Sequence, residues 1–136
     1  MHKLYIGLGS NLGNRKELLH RAIELINERI GSVLRTSSFI ETEPWGFLSD
    51  NTFLNGACLV ETNLSPLQCL RKTQQIERLL GRKRKSKDGK YHDRPIDLDL
   101  LLYDDVEMNT PELVLPHPHM QERDFVMIPL KEIIEN

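Results

Sequence analysis

The segment Ile96-Asp97-Leu98-Asp99-Leu100-Leu101-Leu102 sets two carboxylates two positions apart inside an apolar run. In an extended strand successive side chains point to opposite faces. Ile96, Leu98, Leu100 and Leu102 would then face a core, while Asp97 and Asp99 share the other face about 7 Å apart along the strand. Two carboxylates this close repel each other unless a cation or a proton lies between them. Hard oxygen ligands suit magnesium, which commonly takes one or two carboxylates and completes its octahedron with water and phosphate oxygens. A pair of such ions about 4 Å apart is the arrangement of two-metal phosphoryl chemistry. A solvated strand face would show the same alternation, and the strand by itself does not separate the two readings.

A basic stretch lies just upstream. Arg82, Lys83, Arg84, Lys85, Lys87 and Lys90 fall within nine residues, opposed only by Asp88, and Arg94 follows. Such a run is ordinarily a solvated loop. This one ends where the aspartate strand begins, so its cations could close over a polyphosphate held at Asp97 and Asp99. Arginine offers a planar fork that matches phosphate oxygens, and lysine supplies point charge. Gly89 would allow the loop to move, and closure would exclude water from a reaction in which water competes as nucleophile. The combination favours phosphoryl or nucleotidyl transfer. Other motifs fail: Gly7-Leu8-Gly9-Ser10-Asn11-Leu12-Gly13 has Leu12 at the third glycine position of a dinucleotide fingerprint, and Gly89-Lys90 is followed by Tyr91, not Ser or Thr. A glycine-rich turn between strand and helix is a sufficient account of residues 7–13. His117 and His119 have no cysteine or third partner nearby in sequence, which speaks against zinc.

The elements that must position these groups follow from periodicity. Leu4 to Leu8 suits a first strand. Asn14, with Glu17 three positions on, caps a helix whose stripe is Leu19, Ala22, Ile23, Ile26 and Ile30, with Gly31 as the C-terminal glycine. Val33 to Ile40 and Phe53 to Thr62 read as strands. Ser65-Pro66-Leu67-Gln68 starts a second helix, with Leu70, Ile76 and Leu80 buried and Gly81 at its end. Ile96 to Tyr103 is the last strand. The order βαββαβ implies an α+β, ferredoxin-like core: an antiparallel-rich sheet flanked by helices. After Asp105 short helices are expected to wrap the sheet.

At 136 residues the chain is expected to form one domain over 1–136. Its net charge of -2 gives no global attraction to nucleic acid or to anionic membranes. The apolar stretch after Met1-His2-Lys3 is too short for a secretory signal and no run reaches membrane-spanning length, so a cytoplasmic protein is expected. Cys58 and Cys69 lack metal-ligand spacing and read as two reduced, buried thiols.

Taken together, the chain resembles the 6-hydroxymethyl-7,8-dihydropterin pyrophosphokinase family of folate biosynthesis. The matching pieces are Gly9-Ser10-Asn11, Thr42 with Pro44 and Gly46, and Phe53-Leu54-Asn55. They continue with Gln74 and Glu77, Gly81-Arg82-Lys83-Arg84, and Arg94-Pro95-Ile96-Asp97-Leu98-Asp99. Pro116-His117-Pro118-His119-Met120, leading to Arg123 and Phe125, completes them. The resemblance implies transfer of pyrophosphate from ATP, as co-substrate, to the pterin's hydroxymethyl group with release of AMP. It implies that Asp97 and Asp99 hold two Mg2+ ions, and that Arg82 and Arg94 act in the chemistry. Gln74, Arg84, Leu113, His117 and Arg123 would bind ATP. Thr42, Trp45, Phe53, Asn55, Tyr91 and Phe125 would bind the pterin, with Phe53 and Phe125 stacking on its two faces. A monomer without nucleic-acid or membrane partners is expected. Where many relatives have Trp-Gly-Pro before the arginine, this chain has Tyr91-His92-Asp93 after a slightly longer basic loop, which touches loop closure and not the metal carboxylates.

Without the resemblance, Phe53 and Phe125 read as core residues, Asn55 as a turn residue, and Glu77 as half of a surface ion pair. Two alternative functions remain. A metal-dependent nucleotidyltransferase would use the same paired acids and release pyrophosphate. An RNA-binding ferredoxin-like domain would want exposed aromatics on the sheet where this chain has aspartates.

Overall fold

The protein is described by a computed structural model covering residues 1–43, 52–81 and 95–134. Strand β1 (His2–Ser10) leads into helix α1 (Arg15–Arg29), then β2 (Ser32–Thr36), β3 (Ile40–Thr42) and β4 (Phe53–Thr62). Helix α2 (Pro66–Leu79) and strand β5 (Asp97–Tyr103) complete the core. A small ribbon of β6 (Met108–Asn109) and β7 (Val114–Leu115), a single 3-10 turn (Met120–Glu122) and helix α3 (Asp124–Ile133) come after them.

The helices begin where side chains can satisfy the free N–H groups of a first turn. At α2 the Ser65 hydroxyl accepts from the Gln68 N–H (3.3 Å) and the Gln68 side chain accepts from the Ser65 N–H (2.8 Å), a complete capping box with Pro66 at the first turn. At α1 the Asn14 side chain accepts from the Glu17 N–H, but the Glu17 carboxylate returns to the Asn14 side-chain amide instead of the backbone. Gly81 ends α2 with φ +103°. Gly31 does something other than the expected capping. Its φ lies outside the left-handed region, and a Cβ there would run into the Glu61 carbonyl, so the residue is small because β4 passes close by.

The sheet runs β2-β4-β1-β5 with every neighbouring pair antiparallel, and β3 adds to β4 beyond β2. This is the ferredoxin-like arrangement: each βαβ unit leaves a gap that a third strand fills. The expected single strand Val33–Ile40 is two strands on one partner. Between them the main chain and hydroxyl of Ser37 bond to Ala57 (2.9 and 2.8 Å), and the Glu132 carboxylate receives both the N–H and hydroxyl of Ser38 (2.8 Å each).

Both faces of the sheet are covered, by different material. On one face Leu4, Ile6, Leu8, Cys58, Val60, Leu98 and Leu100 pack against Leu19, Ala22, Leu25 and Ile26 of α1 and Cys69 and Ile76 of α2. On the other, Tyr5, Ala57, Leu59 and Leu101 pack against Met120 and against Val126, Leu130 and Ile133 of α3. The buried stripe of α2 is Cys69, Thr73, Ile76 and Glu77; Leu70 and Leu80 are only partly buried. Both thiols are free and buried, and burial pushes that of Cys58 up to about 12, which removes it as a nucleophile at neutral pH.

A β-bulge interrupts the pairing of β1 with β5. Tyr5 pairs with Leu102 but Ile6 pairs with Leu100, so Leu101 is the extra residue. The alternation read from sequence therefore holds through Leu100 and then shifts. Leu102, expected beside Leu98 and Leu100, packs with the α3 cluster, and Tyr103 takes its place on the helix side.

Candidate active site

The strand register assembles the site. Asp97 pairs with Gly9, which pairs with Asn55; Asp99 pairs with Gly7, which pairs with Ala57. Directly paired residues project on the same face. The face that carries α3 at one end thus carries, at the other, a row of Asp97, Gly9 and Asn55 beside a row of Asp99, Gly7 and Ala57. Adjacent strands are about 4.8 Å apart, so Asp97 stands roughly 10 Å from Asn55 with only Gly9 between them, while the Leu101 side chain lies against Gly7 in the neighbouring row. Gly7 lies inside β1 as the Leu4–Leu8 strand predicted, and the strand runs on through Gly9 to Ser10 before the turn. Leu98 and Leu100 point to the opposite face and are buried, which fixes the aspartates' direction, and both acids are half-buried.

The far wall is equally ordered. Asn55 is buried and its Nδ2 donates to the Thr42 hydroxyl (2.6 Å), so the side chain is tied to β3. A Cβ on Gly9 would stand 3.0 Å from Asn55 Oδ1 and 3.6 Å from Phe53 Cδ1. The amide oxygen and the phenyl ring thus already lean over the glycine floor. Phe53 is buried there, and Phe125 at the start of α3 is half-buried, with the Arg123 guanidinium 5.8 Å from its ring centroid.

The bulge brings in a further group. Leu101 accepts at its carbonyl the N–H of His117 (3.0 Å), which anchors the loop after β7 to the edge of β5. The His117 ring is half-buried. Burial, with help from the neighbouring Arg123 and His119 charges, holds it below the usual histidine range, while Asp97 acts in the opposite sense. The imidazole is therefore neutral near neutral pH, and Asp97, His117 and Arg123 lie within electrostatic reach of one another. Gln74 on α2 is half-buried. Leu113 is packed in the helix-side core, its backbone N–H and C=O engaged by Thr110. Helix α2 and strand β7 both border β5, so these two residues flank its outer side. Trp45, Arg82, Arg84, Tyr91 and Arg94 lie outside the described residues.

Among the described residues no three His, Cys, Asp or Glu side chains gather into a closed metal cage. The Asp97–Asp99 pair nonetheless fits magnesium, whose usual site is one or two carboxylates completed by water and phosphate oxygens. One acid takes a different place from its surface reading. Glu77, expected at the surface, is 4% exposed and its Oε2 accepts the Leu98 N–H at 2.8 Å. Its place on α2 within one helical stripe with Cys69, Thr73 and Ile76, and its place beside Gln74 among the family-like pieces, were the available signals.

Residues 5–135 match the model of the family described as 7,8-dihydro-6-hydroxymethylpterin-pyrophosphokinase (HPPK). The chain belongs to that family. A 2-amino-4-hydroxy-6-hydroxymethyldihydropteridine pyrophosphokinase of Porphyromonas gingivalis is 50% identical, covering 96% of this chain and 89% of its own. That of Bacillus subtilis is 42% identical, covering 96% and 77%. Among solved structures, Plasmodium falciparum HPPK-DHPS with SDX-DHP superposes with a TM-score of 0.79 at 15% identity. The match covers 98% of this chain and 41% of that one, and bears on the fold alone. The protein is accordingly a pyrophosphokinase of folate biosynthesis, and the nucleotidyltransferase and RNA-binding alternatives give way. No helix among the described residues is long and apolar enough to cross a membrane.

Proposed function

We propose that this protein transfers the pyrophosphoryl group of ATP to the hydroxymethyl oxygen of 6-hydroxymethyl-7,8-dihydropterin by in-line displacement assisted by two magnesium ions. The observation that carries the reading is the pair of rows on one face of the sheet: two carboxylates at one side, a buried amide and aromatic ring at the other, and glycine between them. A flat heterocycle can lie on such a floor, with its polar edge toward Asn55 and its hydroxymethyl arm toward the aspartates.

Asp97 and Asp99 would hold the two ions, which when bound would neutralise phosphate charge and assist the attacking oxygen. Asn55, held by Thr42, would read the donor and acceptor edge of the pterin together with main chain near Thr42 and Trp45. Phe53 and Phe125 would cover its two faces, with Tyr91 closing over the ring. The outer side of β5 would take the nucleotide: Gln74 and Leu113 near the base, and Arg84, His117 and Arg123 toward the ribose and phosphates. A neutral His117 can donate one hydrogen bond there without adding a positive charge that competes with metal.

In the reaction a bond forms between the hydroxymethyl oxygen and the β-phosphorus as the β-phosphorus releases the bridging oxygen to AMP; the hydroxyl proton is lost to solvent. Arg82 and Arg94 would stabilise the charge that develops on the transferred group and leaving phosphate. We further take the protein to act in the cytoplasm as a monomer.

The test is AMP formation from ATP and magnesium with and without the pterin. Pterin-dependent AMP is expected. ATP binding without AMP release would overturn the acceptor assignment.

A further inference from the structure

With Asp97 and Asp99 taken as the metal carboxylates of the proposed function, we infer that Glu77 is a positioning residue: it clamps the open edge of β5 between the two aspartates and so sets their metal affinity. Among the described residues strand β5 is the last of the sheet and has a strand partner, β1, on one side only. In an antiparallel ladder the N–H and C=O of one residue point to the same side, and the side alternates along the chain. The Leu98 N–H points to α2, where Glu77 accepts it at 2.8 Å. By the same alternation Asp97 and Asp99 turn their main-chain groups toward Gly9 and Gly7 of β1. The strand is held from one edge at each aspartate and from the other edge at the residue between them.

The clamp is chemically costly, which argues that it has a use. Glu77 is 4% exposed, and a buried carboxylate is tolerated only where it is well hydrogen-bonded. It sits one backbone residue from two more acids, where a neutral or apolar helix residue would serve packing alone. A hydrogen bond from an amide to a carboxyl oxygen is directional, and thus fixes the strand more firmly than apolar contact would. Groups that orient metal ligands typically change affinity by about 10–100-fold when removed.

Glu77→Gln keeps an acceptor oxygen for the Leu98 amide, whereas Glu77→Met keeps the volume and removes it. The experiment follows amide exchange at Leu98 by NMR in metal-free protein. It also measures Mn2+ affinity in the presence of a non-hydrolysable ATP analogue, and kcat against KM, with circular dichroism confirming the fold. In Glu77→Met, Leu98 exchange should rise more than about tenfold relative to Asp99, whose amide faces β1, with Mn2+ affinity falling about tenfold and kcat falling while the pterin KM stays within about twofold. Glu77→Gln should recover exchange protection and most of the affinity. Unchanged Mn2+ affinity in a folded Glu77→Met protein, or a Gln variant that behaves like Met, would overturn the clamp. If the Met variant does not fold, an unprotected Leu98 amide in the wild type, or loss of Mn2+ affinity in the Gln variant, would do so. Wild-type protein that forms no pterin-dependent AMP would instead defeat the functional reading and leave the amide result standing.

Discussion

On the helix side of the sheet, Leu4, Ile6, Leu8, Cys58, Val60, Leu98 and Leu100 run under α1 and α2, with buried polar groups at Ser10 and Thr62 on the strand ends and at Thr73 and Glu77 on α2. On the other side the same strands begin alike, with Tyr5, Leu59 and Leu101 beneath α3, and then change at Gly7 and Ala57 to Asp99, Gly9, Asp97 and Asn55. The strand period of two lets one stretch of chain serve both faces: each buried leucine of β5 aims the neighbouring aspartate away from the core. Stability is concentrated on the first face, and the proposed chemistry falls on the distal half of the second. The floor at Gly9 is obtained by leaving out a side chain where β1 is paired on both edges, and Leu101 packs against Gly7 beside it.

That division can be broken from either side. The largest effect is expected from Asp97→Ala or Asp99→Ala. Turnover should fall on the order of 10³-fold or more, equivalent to about 4 kcal/mol of transition-state stabilisation, while the thermal melt stays close to wild type. The mirror image is Ile26→Ala, which empties a fully buried position of α1. Urea denaturation should show a loss of about 2–5 kcal/mol, with kcat/KM per folded molecule unchanged. A loss of specific activity there would show that the two faces are coupled.

A subtler change sharpens the boundary itself. Gly9→Ala puts a methyl group 3.0 Å from Asn55 Oδ1 on the floor of the cleft. The pterin KM should rise about tenfold with the ATP KM moving less than about twofold, as steady-state kinetics would reveal. Equal rises in both would mean that the floor is shared by the two substrates.

The smallest effect lies at the opposite end of β5. The Asp104 carboxylate accepts the Lys3 N–H and bonds the His2 ring (2.7 Å each), and the backbone bond is the main cause holding it below the usual aspartate range. A depressed folded-state value means that its stabilisation is complete above the unfolded value near 4 and is lost as pH falls through the folded one. The group is partly exposed, so solvent screening limits the contribution to about 0–1 kcal/mol. The stability gap between wild type and Asp104→Asn should be constant from pH 7 to about 5 and shrink below that. Asn tolerates the left-handed backbone at this position (φ 47°), so the comparison isolates the charge.

Much of this organisation was legible in the sequence where the signal is local. The Ser65–Gln68 cap, the extent of β4, the βαββαβ order and the alternation around Asp97 and Asp99 all depend on neighbours in the chain. What was hidden depends on partners far away. The bulge at Leu101 arises from pairing with Tyr5 and Ile6, and it moves Leu102 to the other face and anchors His117. Gly31 looks like a helix stop, yet its size is set by the backbone of Glu61. Glu77 looks like a surface acid because its partner is a main-chain amide, and amides leave no mark in sequence. Gly9 imitates the start of a turn, although cross-strand register places it inside β1 between Asp97 and Asn55.

The most direct test of the central claim is the number of Mn2+ ions bound per chain by electron paramagnetic resonance, with a non-hydrolysable ATP analogue and the pterin both present. Two ions are expected in the wild type, with binding lost at one or both sites in Asp97→Asn and Asp99→Asn. A stoichiometry unchanged by either substitution would contradict the assignment of the aspartate row as the metal-holding half of this face.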